Sequence, residues 1–352
     1  MSSFFKFSDP PVFVSHASVG GFEEKRGSLG SDFDFCDTED NFGMDTFEKA
    51  EGEMERVALN IALSKAGISH ESLGLLVAGD LQNQCVASSL GLFEFGVPYL
   101  GIYGACSTCT EALLILSSFL CCGGKLRIGA AVTSSHNSAA ERQFRFPLEY
   151  GGQRPASAQW TSTAAGAFIL EKQSDHMKEN FHFREDIRGK ERRLIRIECG
   201  MPGRIIDGAT SDGSNMGAAM AFSAADSIKR YFELSGDRID DIDYIVTGDL
   251  GRVGSDILRD ILKKEMPKAE RRHTDCGLLL YDLESQDAHS GASGCGTSAA
   301  VLSSYFIPAL ERGEINSILF SSTGALMSPQ GLLQGDSILG IAPIIKISAK
   351  DI

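Results

Sequence analysis

Residues 101–128, GIYGACSTCTEALLILSSFLCCGGKLRI, combine a glycine-rich turn, a cysteine at its exit, a long apolar run and a basic step into a further apolar segment. Gly101 and Gly104 allow a close backbone approach that a Cβ would block. Ser107, Thr108 and Thr110 offer hydroxyls where a helix needs partners for its first free N–H groups. From Ala112 to Cys122 the residues are apolar nearly all round, which predicts a helix inside the protein rather than on its surface. Cys106 then stands at the N-terminus of that helix, where free amides and the helix dipole favour a thiolate or a bound anion. A plain buried cysteine is the competing reading, since free cysteine is among the most buried residue types.

Outward from this stretch the chain repeats itself. CTEALLILSSFL (109–120) has a counterpart in TSAAVLSSYFIP (297–308), and each is followed by a charged turn and a strand-like run, KLRIGAAVTSS (125–135) and INSILFSSTGA (315–325). Before them, GLLVAGDL (74–81) matches the end of SGDRIDDIDYIVTGDL, both closing on Gly-Asp-Leu at 79–81 and 248–250. Helical spacing predicts a helix over 48–66 stopped by Gly67, and a small-residue-rich helix over 217–234. AAGAFILEK (164–172) and GIAPIIKIS (340–348) close the two copies, and PVFVSHASVG (11–20) reads as a strand after a proline pair. An internal duplication of about 170 residues follows, each copy alternating helix and strand, which predicts two packed α/β units with mixed sheets. The units are expected at 1–175 and 176–352. Residues 21–47, acidic and rich in phenylalanine, lack calcium-loop ligand spacing and read as a loop packed over a cleft.

Composition narrows the function classes. A chain of 352 residues with 43% hydrophobic and 23% charged residues is an ordinary globular protein. A net charge of -14 argues against nucleic acid or an anionic membrane face as a direct electrostatic partner. The nine cysteines show no paired metal-ligand spacing, and the adjacent Cys121 and Cys122 inside an apolar run suit a reducing compartment better than a disulfide framework. The N-terminal MSSFFKFSDPP lacks the apolar run of a signal peptide, and no segment approaches the roughly 18 uncharged apolar residues of a membrane span. A soluble protein with no resident metal or cofactor is the expectation.

A duplicated α/β unit with a cysteine ahead of the buried helix of its first half resembles the thiolase fold. GACSTCTEAL (104–113) resembles the nucleophile turn of the ketoacyl synthase III group, which puts Cys106 in the place of the acyl-accepting cysteine. Together with GDLQNQ (79–84), RQFRFPLEYGGQRPASAQWTSTAAGA (142–167), SQDAHSGASGCGTSA (285–299) and SSTGALMS (321–328), that turn resembles a spore-formation branch of the superfamily over nearly the whole chain. The resemblance implies layered αβαβα halves and a homodimer paired near Cys85–Pro98 and Leu126–Thr133. It also implies a ligand, dipicolinate or its calcium complex, with calcium arriving only with that ligand. Membrane-embedded spore transport proteins are the implied partners, and peripheral association with the spore inner membrane the implied location.

The same resemblance marks what a condensing enzyme requires beside its cysteine, namely a base and donors for a carbonyl oxygen. At the position of the family's first histidine stands Gly248 or Asp249. At the second, one register places Gly296 and another places His289 one residue from the thiolase histidine. Neither yields a complete set, so the implied role is ligand binding without catalysis, supporting dipicolinate uptake and its release at germination. The alternative is an acyltransferase with Cys106 as nucleophile and His289 or His136 as base. A third reading is a scaffold with a vestigial pocket. Candidate ligand-binding residues are Cys106, His136, Arg142, Arg154, Trp160, Asp249 and His289. Arginine forks suit carboxylates and the lone tryptophan suits a planar ring, although Arg145 and its neighbours equally suit ion pairs with acids such as Glu141 and Glu149. Asp80 joins Asp249 as a carboxylate available to a calcium-bound ligand.

Overall fold

A computed structural model describes residues 3–145, 154–179 and 193–351. Ten strands and the helices between them carry the duplication. In the first half these are β1 (Pro11–Gly20), α1 (Phe47–Ala66), β2 (Leu76–Gly79), α2 (Val86–Leu92), β3 (Tyr99–Gly101), α3 (Thr108–Cys121), β4 (Ile128–Ser135), α4 (Asn137–Arg145) and β5 (Ala164–Lys172). In the second they are β6 (Arg193–Met201), α5 (Met216–Ser235), β7 (Tyr244–Thr247), α6 (Gly251–Glu265), β8 (His273–Asp275), α7 (Cys295–Val301), α8 (Ile307–Arg312), β9 (Ser317–Ser321) and β10 (Ile344–Asp351). A π-helical turn over Leu302–Phe306 makes α7 and α8 one continuous rod.

Strand order runs β3-β2-β4-β5-β1 in the first half and β8-β7-β9-β10-β6 in the second. The pairing senses also match. In each half the two outer contacts of the second strand are parallel, and the fifth strand is antiparallel to both its neighbours. The half-sheets meet at their first strands, through a single antiparallel pair, Val12 with Arg196. The expected divide at 175/176 falls inside a short helix, Gln173–Glu179, and the second half's first strand begins at Arg193.

The layering follows from which faces are apolar. Helix α3 and the α7–α8 rod lie in the middle, where Leu113, Leu116 and Phe306 share one core with Phe168 and Phe320 from the two sheets. Helix α1 covers the outer face of the first half-sheet with Met54, Leu59 and Leu63. Helices α5 and α6 cover that of the second with Met220, Ile228, Leu258 and Leu262. The result is the αβαβα stack. Gly67 ends α1 in the left-handed region at φ 66, its N–H turned back onto the last helical carbonyls.

The hydroxyls ahead of α3 do a different task from the capping expected of them. Ser107 caps no N–H; its Oγ lies 2.6 Å from the Gly104 carbonyl and 2.8 Å from Glu111 Oε1. Thr108 donates to the Ala105 carbonyl at 2.6 Å and accepts from Gly104 N, closing the turn on itself. Thr110 reaches the other half, donating to Ser322 Oγ at 2.8 Å and accepting from Ser322 N at 2.9 Å.

Candidate functional site

The turn before α3 places Ala105 in the left-handed region at φ 51, a conformation that costs a non-glycine residue free energy, and so aims Cys106 inward. Cys106 packs with Leu81, Ala140 and Cys295. Its thiol faces the carboxylate of Asp249, whose charge acts on it. Asp249 follows β7 and is fully buried. Its carboxylate accepts from Gly294 N at 2.8 Å, Thr323 Oγ1 at 3.0 Å and, more weakly, Ser293 Oγ at 3.4 Å. Burial pushes this carboxyl up to about 7, against the lowering effect of its donors.

The electrostatics run opposite to those of a nucleophile. Burial, and then the charge of Asp249, push the Cys106 thiol well above the ordinary cysteine range. Reactive cysteines are those whose surroundings favour the thiolate. The expected stabilisation by the helix terminus is outweighed, because the nearest charge is negative. The chamber beside the thiol is small, about 30 Å³, room for roughly two waters. Tyr103, Phe144, Met216 and Met327 line it; the first, second and last lie within quoted motifs, but none has a polar group that singles it out as a ligand candidate from sequence.

Neither histidine joins this chamber. His136 is fully buried, its Nε2 set against the Asp40 carbonyl at 2.8 Å and its ring tilted over Phe47. Burial lowers its pKa, keeping the ring neutral as a clamp on the acidic 27–46 loop. His289, left-handed at φ 48, places Nδ1 2.9 Å from the Pro155 carbonyl and Nε2 2.8 Å from Asp287 Oδ1, which serves neither as a base nor as a donor for Cys106. In the other register, Gly296 sits in the first turn of α7, where a Cβ would meet the Ala164 carbonyl at 2.1 Å. That close packing leaves no room for a side chain.

Outside the chamber a cleft of about 470 Å³ brings three of the candidates together. Arg142, Arg154 and Trp160 line it with Phe47, Asn137 and Glu141. Glu141 also lines the Cys106 chamber, so cleft and chamber share a wall on α4. The Arg154 guanidinium lies 4.9 Å from the Trp160 ring centroid, a cation–π contact, and pairs with Asp287 at 2.9 Å. Arg142 pairs with Glu48 rather than Glu141. Glu141 accepts from Thr161 Oγ1 at 3.1 Å. The side chain of Arg145, and Glu149, lie outside the described residues. Asp80 is fully buried away from the cleft, where it receives Gln82 N and Ser88 N.

Among the described residues no group of three or more His, Cys, Asp and Glu side chains is arranged to hold a metal ion. No described helix is long and apolar enough to cross a membrane.

A family model described as stage V sporulation protein AD matches residues 2–348. The chain is 38% identical over 333 residues to stage V sporulation protein AD of Bacillus subtilis, covering 94% of this chain and 93% of that protein. Among solved structures it is similar to cerulenin-bound OleA of Xanthomonas campestris, with a TM-score of 0.59 and 14% identity over 97% of this chain and 100% of that one. It is likewise similar to 3-oxoacyl-[acyl-carrier-protein] synthase III of Aquifex aeolicus, with a TM-score of 0.56 and 13% identity over 95% and 99% of the two chains. At such identities these two likenesses establish the thiolase-like fold.

Proposed function

The chain belongs to the stage V sporulation protein AD family, and from that premise we propose that it binds dipicolinate, or its calcium complex, without performing condensation. The observation that carries this reading is the cleft lined by Arg142, Arg154 and Trp160 together. Dipicolinate is a planar ring with two carboxylates; it asks for guanidinium forks at its edges and an aromatic face beneath it. The cleft volume lies within the range of about 300–1,000 Å³ usual for small-ligand sites. Arg142 and Arg154 each hold a carboxylate already, Glu48 and Asp287, and the ligand's carboxylates would exchange with these. Calcium, in this reading, enters with the ligand and meets such acids on the cleft rim.

In the cell the reading is of a protein that hands dipicolinate to membrane-embedded spore transport proteins from the surface of the inner membrane, during uptake and again at germination. Homodimerisation is part of it. Strand β3 ends the sheet, and Leu90, Phe93, Tyr99 and Leu100 around it are exposed. An apolar sheet edge of this kind invites a second copy.

Calorimetric titration with dipicolinate, with and without calcium, tests the assignment. Arg154→Ala should weaken binding by about 10-fold to 100-fold, the loss of one charge-assisted hydrogen bond or pair. Cys106→Ala should leave it nearly unchanged. Absence of binding at millimolar ligand sinks the reading.

One observation favours the alternative of acyl transfer: the strained Ala105 that aims Cys106 inward is a nucleophile's turn. Its test is a mass shift of the intact protein with acyl-CoA thioesters, abolished in Cys106→Ala.

A further inference from the structure

Beneath the chamber, Glu51 and Glu55 of α1 and Asp80 after β2 are all fully buried, together with Ser88 and Ser134. Ser134 Oγ lies 2.9 Å from Glu51 Oε1 and 2.9 Å from Glu55 Oε1. Ser88 Oγ lies 3.1 Å from Glu55 Oε1 and 2.6 Å from Asp80 Oδ2. Each of these four oxygen–oxygen contacts needs one hydrogen on its line. The two serines supply one hydrogen each. The other two must sit on carboxyl groups.

We propose that Glu51, Ser134, Glu55, Ser88 and Asp80 form one directional hydrogen-bond chain that stores two protons in the folded protein, on Glu51 and Glu55, with the negative charge on Asp80. Glu51 Oε1–H donates to Ser134, whose hydroxyl donates to Glu55. Glu55 Oε1–H donates to Ser88, whose hydroxyl donates to Asp80. The ends of the chain fit this direction. Asp80 alone receives backbone donors, Gln82 N at 2.8 Å and Ser88 N at 2.8 Å, as an ionised carboxylate should. Glu51 Oε2 accepts from Gln82 Nε2 at 2.5 Å, leaving its Oε1 to carry hydrogen. Glu55 Oε2 is buried without a partner, tolerable for the carbonyl of a neutral acid and very costly for a carboxylate oxygen.

The surroundings offer no offsetting charge. The titratable groups facing the chain are Tyr99 from β3, Tyr103 from the turn after it, Cys85 from the loop before α2 and Cys295 from α7. All four are neutral at pH 7. No described lysine, arginine or histidine is a hydrogen-bond or ion-pair partner of the three carboxyls. In keeping with this, burial and then the charge of Asp80 push Glu51 up to about 8 and Glu55 well above the carboxylate range. The stored protons are coupled to the chamber floor, because Asp80 fixes the loop that carries Leu81 and the left-handed Gln84 and Cys85.

The test replaces the protonated acids by their neutral isosteres, in the double variant Glu51→Gln/Glu55→Gln. Unfolding of the wild type releases the two stored protons, so its unfolding constant should climb with pH about a hundredfold per unit more steeply than that of the variant, between about pH 5.5 and 7.5. Equal pH slopes in the two proteins overturn the proposal. If the double variant does not fold, infrared spectroscopy of the single variant Glu55→Gln decides. The protonated-carboxyl band of the wild type at pH 7 should weaken in it, and an unchanged band overturns the chain.

Discussion

The thiol of Cys106 faces the carboxylate of Asp249, a residue from the opposite half of the duplication; burial, and then this charge, push the thiol pKa up. A cysteine at a nucleophile's turn is thereby held as a neutral thiol. Removing the charge should release it. In Asp249→Asn, alkylation of Cys106 by iodoacetamide at pH 8 should quicken, by about tenfold for each unit its pKa falls. Peptide mass spectrometry separates Cys106 from the exposed Cys122. Equal rates in both proteins would contradict the role given to Asp249.

Trp160 is the chain's one tryptophan and lies under the Arg154 guanidinium on the cleft wall, so its fluorescence reports on that contact. Arg154→Ala should shift its emission. Dipicolinate should change the emission of the wild type in a saturable way, and that of the variant only at about 10-fold or higher ligand concentration.

His273 is buried on β8 beside Thr247 Oγ1, 2.8 Å from its Nε2, and burial drives its pKa down to about 3. The unfolded chain binds this proton near 6.5, the folded protein only near 3. The contribution to stability is therefore complete above pH 6.5 and is lost as pH falls toward 3. Urea unfolding at pH 7, 5 and 4 should show a smaller loss in His273→Gln than in the wild type.

Thr110 ties α3 to the second half through both the N–H and the hydroxyl of Ser322. Thr110→Val keeps the shape, strands the buried Ser322 N–H and takes a donor from Ser322 Oγ. A loss of about 1–3 kcal/mol in urea unfolding is expected. A loss below about 0.5 kcal/mol would contradict the stabilising role given to this pair.

Much of the fold is legible in the repeat. Strand β1 follows its proline pair, β5 carries a long apolar run, and Gly67 marks where α1 stops. Strands β3 and β8 escape a sequence reading because each spans three residues, and His273-Thr274-Asp275 is polar throughout. Those residues extend because neighbouring strands supply their hydrogen-bond partners, which no local pattern records. In the site, the repeated Gly-Asp-Leu brings Asp249 into view. Glu48 and Asp287, which claim Arg142 and Arg154, come from distant segments and have no signature. The GASG motif makes His289 look catalytic, yet its left-handed backbone and the Pro155 carbonyl turn the ring elsewhere.

Asp80 and Asp249 are twins by descent, each following the second strand of its half, but their duties have parted. Asp80 still anchors the start of the next helix through Ser88 N. In the second half that anchoring belongs to Asp275, which accepts from Leu250 N at 2.9 Å and Gly251 N at 3.0 Å at the head of α6. Redundancy of this kind frees a side chain from architecture. Relieved by a neighbour, Asp249 is free to turn its carboxylate across to the first half and the Cys106 thiol, so one repeated position carries two different duties without any change to the scaffold around it.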